Sequence, residues 1–136
     1  MDERRVGNMR FQLDLSQPLY EQVLDQVRSS IAKGEIKLGE KIPSVREMAQ
    51  ALKINPNTVM RAYQELERDG LTEKRRGQGT FVTTEQDRVD TFRMELAQQV
   101  IDEFMSKIQS LGLTWDDIET YIRQKHTGEQ KGSDRL

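Results

Sequence analysis

The sequence predicts a mostly α-helical fold with one small β-hairpin, arranged in two parts. Three helices are predicted before residue 70, the hairpin directly follows them, and two further helices complete the C-terminal region. Two observations carry this prediction. Apolar residues recur every three or four positions in the helical stretches, and cap and turn residues divide those stretches at matching places. A chain of 136 residues can bury a core without disulfides or metal ions.

Composition excludes several classes of function. The chain contains no cysteine and one histidine, which rules out a disulfide framework, a cysteine nucleophile, and thiolate or multi-histidine metal centres. It offers no set of nucleophile, histidine and acid and no phosphate-binding loop, so we expect neither an enzyme nor a bound cofactor or metal. The N-terminus lacks the apolar core of a signal peptide, and no apolar run approaches membrane-spanning length. We therefore expect a soluble, cytoplasmic protein.

The first three helices are predicted from their caps and from their apolar faces. The first begins at a Ser-Gln-Pro sequence, with proline in the first turn. Its apolar face comprises Leu19, Val23, Val27 and Ile31. Ser44 and Glu47 have the spacing of a capping box and begin a short second helix. Asn55 as N-cap and Pro56 at the first helical position begin the third helix, which ends at Gly70.

A β-hairpin is predicted after the third helix. Leu71–Arg75 and Thr80–Thr83 are short strands, and the Arg-Gly-Gln-Gly turn between them supplies two glycines for a tight reversal. The second and third helices, joined by about three or four residues, form a helix-turn-helix. Three helices followed by a hairpin make a winged helix-turn-helix, which we assign to residues 1–83.

Residues 84–136 predict a separate helical region with a frayed polar tail. A long helix is expected from Asp87 to Ser110, and Thr114 with Asp117 caps a final helix that gives way to the tail at Gly128. An apolar stripe runs along both helices and is predicted to be a dimer interface, because two appended helices need a partner surface. The stripe comprises Val89, Phe92, Leu96, Val100, Phe104, Ile108, Trp115 and Ile118.

Charge is distributed unevenly along the chain. The formal net charge is −2, which by itself argues against a nucleic-acid partner. Residues 35–83, however, carry nine basic and seven acidic side chains, whereas residues 84–136 carry seven basic and eleven acidic ones. The predicted winged domain therefore has a net positive charge, and the C-terminal helical region has a net negative charge. This distribution is compatible with DNA binding by the winged domain alone.

The motifs of the first 83 residues resemble the GntR family of bacterial transcription regulators. The resemblance rests on Pro18-Leu-Tyr-Glu-Gln, Ile42-Pro-Ser-Val-Arg-Glu-Met-Ala, Asn55-Pro-Asn-Thr-Val-Met-Arg-Ala-Tyr, Asp69-Gly-Leu and Arg76-Gly-Gln-Gly-Thr-Phe-Val. The short helical C-terminal region further resembles the YtrA-type subfamily, whose members end in two dimerisation helices. The resemblance implies a homodimeric regulator of transcription, more often a repressor, that binds double-stranded DNA at an inverted-repeat operator.

The candidate DNA-binding residues come from helix geometry and from the resemblance. The third helix presents a polar face opposite its apolar one, and its N-terminal half is the part that enters a major groove. Asparagine and arginine on that face suit adenine and guanine, and a hydroxyl at a helix N-terminus can contact a phosphate. The resemblance adds the arginine of the second helix and the wing tip, where Gly77 matches a site of close backbone approach. The candidates are Ser44, Arg46, Asn57, Thr58, Arg61, Gln64, Arg75, Arg76, Gly77 and Gln78.

Each of these assignments has an alternative. Well-known family members carry arginines where this chain has Pro56 and Met60, so individual base contacts do not transfer directly. The arginines of the second and third helices can be surface ion-pair partners, and those of the wing a solvated hairpin end. The apolar stripe can belong to a monomer. Two other functions also remain open, namely a metabolite sensor with a ligand cleft between the C-terminal helices and a winged helix that binds proteins only.

Overall fold

The computed structural model describes residues 2–134, and side chains as far as residue 128. The order of elements is β1 (Asp2–Val6), β2 (Met9–Leu13), α1 (Leu19–Lys33), β3 (Lys41–Ile42), α2 (Val45–Leu52), α3 (Pro56–Arg68), β4 (Thr72–Arg75), β5 (Gly79–Val82), α4 (Gln86–Ser110) and α5 (Trp115–Asp134). The described residues fall into two compact units, one ending at Met94 and the other beginning at Glu95. The fold class predicted from the sequence, mostly helical with a β wing, is confirmed.

The first unit is built around three helices, and the predicted N-terminal caps of α2 and α3 are present. α1 differs from the prediction, because it begins at Leu19 and its N-cap, Pro18, provides no side-chain hydrogen bond. Ser44 and Glu47 form both hydrogen bonds of a capping box at the start of α2, and the Asn55 side chain accepts from the amide of Asn57 at the start of α3. α3 packs against both α1 and α2. Its buried face consists of Val59, Ala62, Tyr63 and Leu66. The other two helices contribute Val23, Leu24, Val27, Ile31, Met48, Ala49 and Leu52 to the same core.

A tyrosine of this core fastens α3 to the loop before α2. The Tyr63 hydroxyl donates to the Pro43 carbonyl oxygen at 2.6 Å. Burial raises the pKa of the Tyr63 phenol, so the donor proton is retained at any physiological pH. The bond joins two segments that are 20 residues apart and so limits how α3 can shift relative to the start of α2.

We expect Tyr63→Phe to lower the free energy of unfolding by about 0.5–1.5 kcal/mol, because it removes this one hydrogen bond and keeps the ring in place. Urea denaturation of the full chain measures the change. Tyr20→Phe is the matched control, because Tyr20 packs against the same core and its hydroxyl has no hydrogen bond with any described residue, so its loss should leave stability unchanged. Equal stability of the two variants would mean that the Pro43 contact contributes nothing.

An N-terminal β-hairpin, which the sequence analysis did not predict, completes the core of the first unit. β1 and β2 pair antiparallel with Val6 opposite Met9, and the reversal between them has Gly7 at a φ of 60°. The inward face of the hairpin buries Phe11 and Leu13 completely or nearly so. β1 packs on α2 and β2 packs on α1, so the hairpin covers one side of the helical domain.

The predicted wing is present and has a third strand. β4 and β5 pair antiparallel from Thr72 opposite Val82 to Arg75 opposite Gly79, in agreement with the predicted hairpin. β3, which was not predicted, adds to the other edge of β5, giving the order β3-β5-β4. The inward face of this sheet buries Ile42, Thr72 and Val82. The wing is thus tied to the segment that leads into α2.

α4 and α5 begin close to the predicted positions, and two details differ. The first unit extends to Met94, whereas the predicted boundary was residue 83, because the first turns of α4 pack on the core through buried Val89 and half-buried Phe92. α5 begins with the predicted Thr114–Asp117 cap, in which each side chain accepts from the other residue's amide. It continues to Asp134, although a frayed tail was predicted from Gly128. The Glu-Gln-Lys sequence after this glycine favours helix, and no proline interrupts it.

An arginine network holds the start of α4 to the first unit. The Arg28 guanidinium donates twice to one Asp69 carboxylate oxygen, at 3.0 and 2.8 Å, and lies 5.2 Å from the centroid of the Phe92 ring. Arg93 donates to the Ala32 carbonyl oxygen at 2.6 Å, near the end of α1. The C-terminal end of α3, the middle of α1 and the start of α4 therefore share contacts within one unit.

Candidate nucleic-acid interface

The surface of α3 opposite its buried face carries the polar residues predicted to contact DNA. Asn57, Arg61 and Gln64 are exposed, and Thr58 is half-buried. The amide of Asn57 is occupied by the Asn55 cap at 2.8 Å, but no hydrogen bond engages the Asn57 side chain within residues 2–134. Its carboxamide can therefore still supply one donor and one acceptor group to a base edge.

The arginines near this face differ in how they are held. Arg68 forms an ion pair with Glu65 at 2.6 Å, which is the surface-pair alternative considered for it. Arg46 is exposed and forms no ion pair or hydrogen bond with any described residue. The Arg61 guanidinium carbon lies 3.9 Å from the centroid of the Tyr20 ring on α1 and has no carboxylate partner in the described chain. Arg46 and Arg61 thus keep their donors available, whereas Arg68 is committed to its own helix.

Glu47 engages both the amide and the hydroxyl oxygen of Ser44, the N-cap of α2. The Ser44 amide donates to Glu47 Oε1 at 3.3 Å, and Ser44 Oγ accepts from the Glu47 amide at 3.1 Å. Only the hydroxyl proton of Ser44 is left to donate outward. A phosphate could reach the Ser44 amide only if Glu47 moved, so the structure leaves Ser44 a smaller contribution than the sequence predicts.

The wing tip presents two arginines in different environments. The Arg75 guanidinium carbon lies 4.2 Å from the centroid of the Phe81 ring, and a guanidinium nitrogen is 3.8 Å from the Glu73 carboxylate. Arg76 is exposed and unpaired in the part of the chain that the structure describes. Gly77 has a φ of 74° and open space around it, so the backbone of the tip is accessible. The backbone N–H of the exposed Gln78 donates to the Arg75 carbonyl oxygen and closes the turn.

One basic residue of the wing was missed by the sequence analysis. Lys41 on β3 pairs with Phe81 and is exposed on the outer face of the sheet. A Cβ on Gly79 would come within 2.9 Å of Lys41 Cε, so the side chain crosses directly over this glycine. In the sequence, Lys41 stands directly before the Ile-Pro-Ser motif. Only the pairing of β3 with β5 reveals that this lysine belongs to the wing.

The predicted dimerisation residues differ in how far the chain itself covers them. Val89 is buried in the first unit's own core with Phe92 half-buried against it, and Ile118 in the second unit is 7% exposed, so these three are largely covered by the chain itself. Leu96 and Ile108 are half-buried. The second unit nevertheless exposes large apolar side chains, which include predicted and unpredicted residues. They are Val100, Ile101, Phe104, Leu111, Leu113, Trp115, Tyr121 and Ile122, here called the apolar surface of the second unit.

Comparison with known proteins identifies the family. The model of the family described as bacterial regulatory proteins, gntR family, matches residues 19–82. The chain is 42% identical to the HTH-type transcriptional regulator YhcF of Bacillus subtilis (strain 168) over 107 residues, which cover 79% of this chain and 88% of the relative. This chain belongs to the GntR family. It is 39% identical to the HTH-type transcriptional repressor YtrA of the same organism, with coverage of 69% and 77%.

A solved structure agrees with this family assignment. A GntR family transcriptional regulator from Listeria monocytogenes superposes with a TM-score of 0.75 at 32% sequence identity, covering 82% of this chain and 98% of the other. The resemblance to GntR regulators and to the YtrA type is thereby confirmed. The chain is a DNA-binding transcription regulator of this family rather than a member of an enzyme family.

The described residues of this GntR protein form neither a metal-binding cluster nor a membrane-spanning helix. None of their histidine and carboxylate residues cluster in a way that could hold a metal ion. No helix among them combines the length and apolar character needed to cross a membrane.

Proposed function

We propose that this protein is a homodimeric repressor that reads a palindromic operator through α3, with the wing and Arg46 as further contacts. The observation that carries the proposal is the exposed face of α3, where Asn57, Arg61 and Gln64 lie opposite a fully packed core face. Recognition helices of winged helix-turn-helix proteins use this face in the major groove. We assign phosphate contacts to Arg46 and to the Ser44 hydroxyl, and backbone or minor-groove contacts to the 75–78 wing tip.

The apolar surface of the second unit supports the dimer. Leu111 is 71% exposed, Val100 63% and Trp115 54%, although monomeric proteins rarely expose so many large apolar side chains in one short segment. A second copy of the same chain is the simplest partner, because a twofold axis matches each exposed side chain to an identical surface. The same axis would present two α3 helices to two half-sites, which makes an inverted repeat the expected operator.

The sign of regulation is proposed from similarity. The Bacillus subtilis relative that is 39% identical to this chain is named a transcriptional repressor. A reporter gene placed behind the operator tests the sign, because expression of the protein should lower its transcription. Higher transcription in the presence of the protein would identify an activator instead.

Selection of bound DNA from a random pool tests the proposal as a whole. We expect the full chain to enrich an inverted repeat whose half-sites are separated by about one helical turn. Binding should weaken steeply with added salt, because phosphate contacts release counter-ions. A selected sequence without twofold symmetry would contradict the dimer geometry. Failure to enrich any sequence would contradict the function.

We expect Arg46→Ala to weaken operator binding by about 1–3 kcal/mol if its unpaired guanidinium makes a bidentate contact with the operator. Arg61→Ala should cost a similar amount. Fluorescence anisotropy with the selected operator measures both changes. Arg68→Ala is the control, because Arg68 is already paired with Glu65 and its removal should have little effect. If all three variants bind like the wild-type protein, the assignment of Arg46 and Arg61 is wrong.

A further inference from the structure

Two arginines of the candidate interface lie over aromatic rings from neighbouring elements. The guanidinium carbon of Arg61 on α3 is 3.9 Å from the ring centroid of Tyr20, in the first turn of α1. The guanidinium carbon of Arg75 on β4 is 4.2 Å from the ring centroid of Phe81, on β5. Both distances are well inside the roughly 6 Å range over which a cation is attracted to a ring face.

The rings themselves are held in place. Tyr20 packs against the hydrophobic core of the first unit, and Phe81 is half-buried in the central strand of the wing sheet, between Lys41 and Glu73. The flexible partner of each pair is therefore the arginine. An arginine lying over a fixed ring has fewer rotamers available than one extended into solvent.

Stacking leaves the donors of these arginines available. The N–H groups of a guanidinium lie in its own plane, so a ring against one face does not occupy them. Arg61 has no hydrogen bond to any described residue, and Arg75 has only the Glu73 contact at 3.8 Å. The guanidinium N–H groups of both arginines can therefore still donate to a guanine base or to a phosphate.

We propose that Tyr20 and Phe81 are positioning residues for DNA recognition, which preset Arg61 and Arg75 before DNA is bound. The inference rests on the proposed function and extends it to α1 and to the outer face of the wing. Its physical basis is preorganisation: a side chain that is already ordered loses less conformational freedom when the complex forms. The ring need not touch the DNA for this to work.

A pair of substitutions at Tyr20 in the full chain tests the proposal, with the selected operator and fluorescence anisotropy at fixed salt. Tyr20→Phe keeps the ring face, so its affinity should stay within about twofold of wild type. Tyr20→Leu keeps apolar packing but removes the ring, and should weaken binding about fivefold. In an Arg61→Ala background, Tyr20→Leu should have no further effect, because the group that it positions is absent.

The same cycle applies to the wing. Phe81→Tyr should bind like the wild-type protein, and Phe81→Leu should weaken binding about fivefold unless Arg75→Ala is already present. Arg61→Lys tests the Arg61–Tyr20 pair without altering a packed side chain. It keeps the charge but lacks the planar group, so it should lose affinity while the melting temperature stays unchanged.

Specific outcomes separate this inference from the proposed function. If Tyr20→Phe is as damaging as Tyr20→Leu, the hydroxyl itself contacts DNA and positioning is overturned. If Tyr20→Leu still weakens binding in the Arg61→Ala background, the ring acts independently and positioning is again overturned. If the wild-type protein binds its operator and neither ring variant changes affinity, only this inference fails. If the wild-type protein binds no specific sequence, the proposed function fails and the inference with it.

Discussion

Phe104→Glu is expected to convert the protein to a monomer and to lower operator affinity by about 100-fold or more. Phe104 lies in the apolar surface of the second unit and is 42% exposed, so a charge is tolerated in the isolated chain. In the proposed dimer the same carboxylate would be buried against a copy of itself, at a cost of several kcal/mol. Losing the dimer makes the second half-site a separate binding event and removes the benefit of linked sites.

Light scattering coupled to gel filtration measures the mass, and anisotropy measures the affinity. Ser106→Glu is the matched control, because Ser106 is exposed on the opposite side of α4 from Phe104 and the substitution adds a carboxylate away from the stripe. Circular dichroism should show the same helix content in both variants. A dimeric Phe104→Glu protein with normal affinity would exclude this surface as the dimer interface.

Phe11→Ala is expected to lower the free energy of unfolding by about 3–5 kcal/mol, a large part of the stability of a small domain. Phe11 is fully buried and comes from the N-terminal hairpin, outside the 19–82 segment that matches the family model. Removing its ring leaves a cavity where β2 packs on α1. The hairpin therefore belongs to the folding unit of the winged domain.

Urea denaturation followed by circular dichroism measures this effect. Gln12→Ala, at the exposed neighbouring position of the same strand, should change stability by less than about 0.5 kcal/mol. If Phe11→Ala is no more destabilising than Gln12→Ala, the hairpin contributes little to the core. Operator binding by Phe11→Ala should be preserved at temperatures where the variant remains folded, because Phe11 lies inside the core.

The helix-turn-helix and its wing could be predicted because their signals are local. The Ser44–Glu47 capping box, the Asn55 cap and the glycines of the wing turn each act within a few residues, and each is where it was expected. The N-terminal hairpin was not predicted because its first strand, Asp2–Val6, is mostly charged. Such a sequence is typical of a solvent-exposed segment without regular structure. The alternation of Met9, Phe11 and Leu13 after a Gly-Asn turn was the signal that could have revealed it.

The contacts that shape the candidate interface could not be predicted from sequence spacing. Tyr20 and Arg61 are 41 residues apart, and only the packing of α1 on α3 brings them together. The apolar stripe of α4 has a similar ambiguity, since helical periodicity does not distinguish a side chain that packs on its own domain from one that awaits a partner. Val89 packs on its own domain, and Val100 is exposed.

The capping box at the start of α2 has a consequence for how the protein would search a genome. Glu47 engages the Ser44 amide at the start of α2, and the Arg68 charge is offset by Glu65. Residues 35–83 carry nine basic side chains against seven acidic ones, so this nearly balanced surface should hold arbitrary DNA only weakly. Fewer copies would then be trapped on irrelevant sites, so a small cellular pool could keep an operator occupied.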